Sequence, residues 1–93
     1  MNYTFTDITS FTDAEFDHCW STSVTDMEAG AYPFHLYPHL TTTAQRKQFI
    51  KDAFNDCCAD STWVVWKIED EDTIIMLNAG KVVGTNLEWK MSL

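Results

Sequence analysis

Hydrophobic and polar positions alternate first with a period of two, then with a helical period, and the chain returns to period two in its final third. In the segment 2–8, Tyr3, Phe5 and Asp7 alternate against Thr4, Thr6 and Ile8, which predicts a short first strand. Thr12 then opens a T-x-x-E capping box with Glu15. In such a box each side chain satisfies the other residue's free backbone N–H, and Phe11 and Phe16 stand at the positions of a hydrophobic staple. Phe16, Cys19, Trp20, Val24 and Met27 recur at helical spacing, so a helix is expected from Thr12 to about Glu28, with Gly30 as its stop.

The stretch Ala31–Leu40, AYPFHLYPHL, has aromatic-Pro steps at Tyr32-Pro33 and Tyr37-Pro38. Each proline removes a backbone donor and turns its predecessor away from helix, so a structured hydrophobic loop is expected. Thr42 and Gln45 repeat the capping-box pattern, and Phe49, Ile50, Ala53, Phe54 and Cys57 give a second helix its buried stripe. Beyond Asp60, TWVVWKIE (62–69) and TIIML (73–77) are β-branched and aromatic and flank Asp70-Glu71-Asp72, an expected hairpin. The turn signals Asn78-Ala79-Gly80 and Gly84-Thr85-Asn86 bracket a short run, Lys81–Val83, and 87–93 reads as a last strand.

Strand, two helices, then antiparallel strands make an α+β arrangement: a three- to four-stranded antiparallel sheet with the helices on one face, in a single domain over residues 1–93. Trp89, Met91 and Leu93 run to the last residue without a polar tail, which suggests a final strand covered by another subunit or a chain cut from something longer.

Composition narrows the function. Hydrophobic residues are 45% of the chain and charged residues 22%, inside the globular range, so the sequence should fold. The net charge is −8 and no Lys or Arg precedes Arg46, so the first half would repel phosphate backbones, although it could face a basic protein. Arg46, Lys47 and Lys51, beside Asp52 and Asp56, read as a solvated helix face rather than a nucleic-acid footprint. No nucleic-acid partner is expected.

Three cysteines, two of them adjacent at Cys57 and Cys58, do not form a disulfide framework, which fits a reducing cytoplasm. The N-terminus lacks a signal-peptide pattern, and no apolar run nears the about 18 residues of a membrane span. A soluble cytoplasmic protein without a membrane partner is the expectation.

Candidate chemistry is sparse. His18, Cys19, His35, His39, Cys57 and Cys58 are of zinc-binding types, but Pro38 separates His35 from His39 and no C-x-x-C pair exists, so no metal is expected. A nucleophilic thiol needs a cationic environment that this acidic chain lacks. Gly30, Gly80 and Gly84 are the only glycines, so no G-x-G-x-x-G or P-loop can be written and no cofactor or catalytic residue is assigned. What remains is the loop with Tyr32, Phe34, His35, Tyr37 and His39, either a binding site for a ligand or partner or a lid closing one end of the core.

The element order and the GKVVGT step at Gly80–Thr85 resemble the N-terminal half of the GNAT acetyltransferase family. That resemblance implies a helix pair and an aromatic-rich loop on the acceptor-substrate side. The family's Q/R-x-x-G-x-G/A loop for acetyl-CoA is not written here, so the resemblance implies an acyltransferase fragment, or a derivative that keeps the fold for binding. The residues themselves point first to a small non-enzymatic binding or assembly module, partnered by protein or by itself as a homo-oligomer.

Overall fold

The computed structural model describes residues 2–93, apart from the side chains of 89 and 90. The expectation that Trp89 contributes to an apolar last strand therefore concerns a side chain outside the described residues. Its backbone lies in the last strand, opposite Gly80.

Strand β1 (Tyr3–Ile8) leads to helix α1 (Asp13–Asp26), helix α2 (Thr43–Ala59), and strands β2 (Trp63–Asp70), β3 (Thr73–Val83) and β4 (Asn86–Ser92). The strands form one antiparallel sheet in the order β1-β2-β3-β4. Both capping boxes form: Glu15 N–H donates to Thr12 Oγ1 at 3.1 Å, and Gln45 N–H donates to Thr42 Oγ1 at 3.1 Å. Phe11 stacks on Phe16 with ring centres 5.8 Å apart, completing the staple. After Asp26 the helix widens into one π-helical turn, Met27–Ala31, which ends where Gly30 takes φ 122°, a conformation a side chain would resist.

Phe16, Cys19, Trp20, Ile50, Phe54 and Cys57 from the helices meet Val65, Ile74, Leu77 and Ala79 from the sheet in one core. Alternation along the strands sets this up, because Val65 pairs with Ala79 and Lys67 with Leu77, so their side chains share the helix-covered face. Burying that face supplies the main driving force, at about 1.5–3 kcal/mol per large apolar side chain.

Three sequence-based expectations change. Asn78-Ala79-Gly80 is no turn but the middle of an eleven-residue strand, β3. Asn78 is polar yet buried, and Ser92 Oγ donates to its Oδ1 at 2.8 Å, so an apparent loop signal is a strand residue tied to its neighbour on β4. Met91 and Leu93 are buried in this chain's own core, and Leu77 and Leu93 exchange backbone hydrogen bonds of 3.0 and 2.7 Å. Met91 and Leu93 therefore already have a cover. Finally, the basic residues of α2 do not simply face solvent but cross to α1 and the π-helical turn after it: Lys47 Nζ lies 2.7 Å from Asp17, Lys51 Nζ 2.5 Å from Asp13, and Arg46 pairs with Glu28.

Candidate functional site

The loop singled out in the sequence folds into an aromatic knot. Tyr32 lies 4.9 Å from Phe34 and 6.3 Å from Tyr37, ring centre to ring centre, and Tyr37 lies 4.7 Å from Phe49 on α2. Burial, followed by the neighbouring Tyr37, pushes the Tyr32 phenol up to about 12, so it stays protonated and neutral. Arg46 fastens the knot. Its guanidinium sits 5.5 Å from the centre of the Phe34 ring, and its Nε donates to the Leu40 carbonyl at 3.2 Å. Of the five candidate residues, Tyr32, Phe34 and Tyr37 turn inward, whereas His35 and His39 are exposed. Only Phe34, His35 and Tyr37 share a depression with Glu28 and Arg46.

The thiols are poor nucleophiles. Burial, with a smaller contribution from Glu15, pushes Cys19 up to about 11, and burial also raises Cys57 and Cys58. Among the described residues no three His, Cys, Asp or Glu side chains converge as a metal site would require, and no helix is long and apolar enough to cross a membrane.

A second feature lies on the sheet face away from the helices. Phe5 stands opposite Ile68 and Asp7 opposite Trp66, so β1 presents Tyr3, Phe5 and Asp7 on the same side as Val64, Trp66 and Ile68 of β2. Met76 and Val82 of β3 and Leu87 of β4 continue that surface. Phe5 is 68% exposed, Leu87 53% and Tyr3 52%. A trough of about 510 Å³ runs through this face, lined by Phe5, Asp7, Val64, Trp66, Val82 and Leu87 together with the β3–β4 turn. Leu87 can lie down over β3 because Gly80 has no side chain; a Cβ there would stand 3.0 Å from Leu87 Cδ1.

The reading of the chain by motif passed over this surface, although a signal for it exists. Trp63 to Ile68, WVVWKI, is apolar at both parities, and a strand with only one buried face would alternate. Trp63 and Val65 serve the core, which leaves Val64, Trp66 and Ile68 for the other side.

Compared with known proteins, the chain matches no family model, no curated protein and no solved structure.

Proposed function

We propose that this chain is a cytoplasmic binding and assembly module without chemistry of its own, and that it works through the open face of its sheet. The observation that carries the reading is the exposed array of Phe5, Tyr3, Leu87, Val82 and Met76 around Trp66. At about 200 Å² per aromatic side chain, Phe5 and Tyr3 alone hold roughly 240 Å² in water, and contiguous apolar surface beyond a few hundred Å² marks an interaction site. The partner is a protein, either a second copy or a different chain; the free outer edges of β1 and β4 offer further backbone pairing. A peptide library displayed on phage and selected on the native protein tests the reading. Enriched peptides that lose binding to a Phe5→Ser, Leu87→Ser double variant support it, and so does concentration-dependent association abolished by the same pair. A monomeric chain that enriches nothing refutes it.

A second reading, the N-terminal half of a GNAT-like acyltransferase, is favoured by the element order and by the hairpin turn at Gly84, where φ is 63°. In it the aromatic knot of Tyr32, Phe34 and Tyr37, with His35 and His39 outside, lies on the acceptor side. The coding sequence beyond Leu93 decides it: a glycine-rich loop opening a helix supports the reading, and a stop codon removes it.

A further inference from the structure

The open face has a one-sided charge pattern. Among its described side chains the carboxylates are Asp7, within the trough, and Asp70, opposite Tyr3. The described basic side chains point elsewhere. Lys47 and Lys51 are paired with α1 and Arg46 with Glu28 of the π-helical turn, and Lys67 on the helix side lies 3.2 Å from Glu15 and 3.7 Å from Glu69. Lys81 stands opposite Trp63 and alternates away from the trough. Among the described side chains, therefore, the trough offers aromatic faces, aliphatic walls and a carboxylate, and no cation.

An occupant that matches this face supplies apolar surface and positive charge together. The electron-rich faces of Trp66 and Phe5 attract a cation, and the long stem of Lys or Arg packs on them while its head reaches a carboxylate. A trough of about 510 Å³ has room for the side chains of a bound segment. Two copies meeting face to face would instead set Asp7 and Asp70 of one against those of the other, with no cation among the described side chains of the face to neutralise them, in a chain already at −8.

We propose that the trough between Phe5, Trp66 and Leu87 takes a cationic, apolar segment of a different protein, with a Lys or Arg of that segment bonded to the Asp7 carboxylate and its stem laid over Trp66. The proposal rests on the open face being the working surface. It leaves the outer edge of β4 available for self-association.

Two synthetic peptides of equal length test it, one alternating leucine with lysine and the other leucine with glutamate, titrated into isotope-labelled protein and followed by NMR. The lysine peptide should shift the signals of Phe5, Asp7, Leu87 and the Trp66 indole N–H, and its affinity should fall as salt rises. Asp7→Asn should weaken it about tenfold. Asp56→Asn, on α2 and outside the trough, should leave the affinity unchanged and so separates a local pair from diffuse charge. Equal binding of both peptides, or equal losses from Asp7→Asn and Asp56→Asn, would overturn the proposal while leaving the open face as a binding surface. Sedimentation showing a dimer that buries Phe5 and excludes both peptides would also overturn it and keep the assembly reading. A monomer that binds neither peptide at any salt concentration would remove both.

Discussion

Glu15 and Lys67 tie the start of α1 to the interior strand β2. One oxygen of the Glu15 carboxylate accepts the Thr12 backbone N–H at 2.9 Å, and the other accepts Lys67 Nζ at 3.2 Å. A residue 52 positions away in sequence thus holds the same carboxylate that caps the helix. The cap sets the local conformation and the lysine sets where that conformation sits on the sheet.

That double role fixes a pH dependence. The Thr12 backbone hydrogen bond first, and Lys67 after it, hold the Glu15 carboxyl below its ordinary 4.5 against the opposing effect of burial. A depressed acid contributes stability that is present above its unfolded pKa and lost as pH falls through the folded value. The bond to Glu15 also raises Lys67 above 10.5, so the lysine's contribution holds below that value and is lost as pH rises past the folded one. Glu15→Gln keeps an oxygen for the Thr12 N–H but gives up the charge. It should cost about 1 kcal/mol near pH 7 and progressively less as the pH falls through the folded value, where the wild-type carboxyl itself takes up a proton. Urea denaturation of both proteins across that range checks it; a constant gap would show that charge is not the cause.

Gly80 should resist even the smallest side chain. An added methyl would stand 3.0 Å from both Leu87 Cδ1 and the Glu88 carbonyl oxygen, and the backbone oxygen cannot move aside by a rotamer change. Gly80→Ala is expected to cost about 1–3 kcal/mol. Leu87→Ala in the same chain should recover part of that loss by vacating one of the two contacts, leaving the clash with Glu88. Thermal denaturation of the two single variants and the double gives the coupling, and strictly additive losses would contradict it.

The helices were legible in the sequence because their signals are local. Thr12 with Glu15, and Thr42 with Gln45, carry their own boundaries, and the stripe from Phe16 to Met27 has one period throughout. The middle of β3 was not. Asn, Ala and Gly have turn propensity when read alone, and only the pairing of Asn78 with Ser92 and the approach of Leu87 to Gly80 make them strand residues. The open face escaped motif reading for a different reason. Whether Trp66 and Phe5 meet core or water depends on which face the helices cover, and a strand apolar on both sides does not say.

The β2–β3 turn carries strain that a sequence change can release. Glu71 and Asp72 both adopt positive φ, 50° and 75°, where Asn and Gly are the favoured pair in a two-residue hairpin turn. Left-handed backbone costs an ordinary side chain roughly 1–2 kcal/mol, less for Asp, whose short polar group bonds locally. Glu71→Asn with Asp72→Gly should therefore raise stability by about 1 kcal/mol, part of the gain being offset by the freer unfolded glycine. In a domain of this size that corresponds to a rise of about 4–8 °C in Tm. A calorimetric scan showing no rise would mean that neighbouring contacts, among them the Glu71 N–H to the Asn2 carbonyl at 3.3 Å, already hold the turn without strain.

Arg46 should govern the aromatic knot more than any residue inside it. Its guanidinium stacks over Phe34, its Nε holds the Leu40 carbonyl, and its terminal nitrogen pairs with Glu28 at the end of the α1 segment, while Thr43 Oγ1 donates to the same carboxylate at 2.9 Å. Because three partners converge on one planar group, Arg46→Lys should fare little better than Arg46→Met: an ammonium can keep the charge but not the stack and the fork together. Either change should cost about 1–3 kcal/mol, the range for losing a partly buried, charge-assisted hydrogen-bond set. The loss should be local before it is global. The Leu36, Tyr37 and Leu40 amides, which bond to the carbonyls of Pro33, Phe34 and Tyr37, should exchange with deuterium much faster in the variants, while the core amides of Leu77 and Ala79 in β3 keep the protection that global stability allows. If the loop amides instead kept pace with those of β3, the knot would owe its order to Tyr32, Tyr37 and Phe49 packing alone, and Arg46 would be an ordinary surface ion pair.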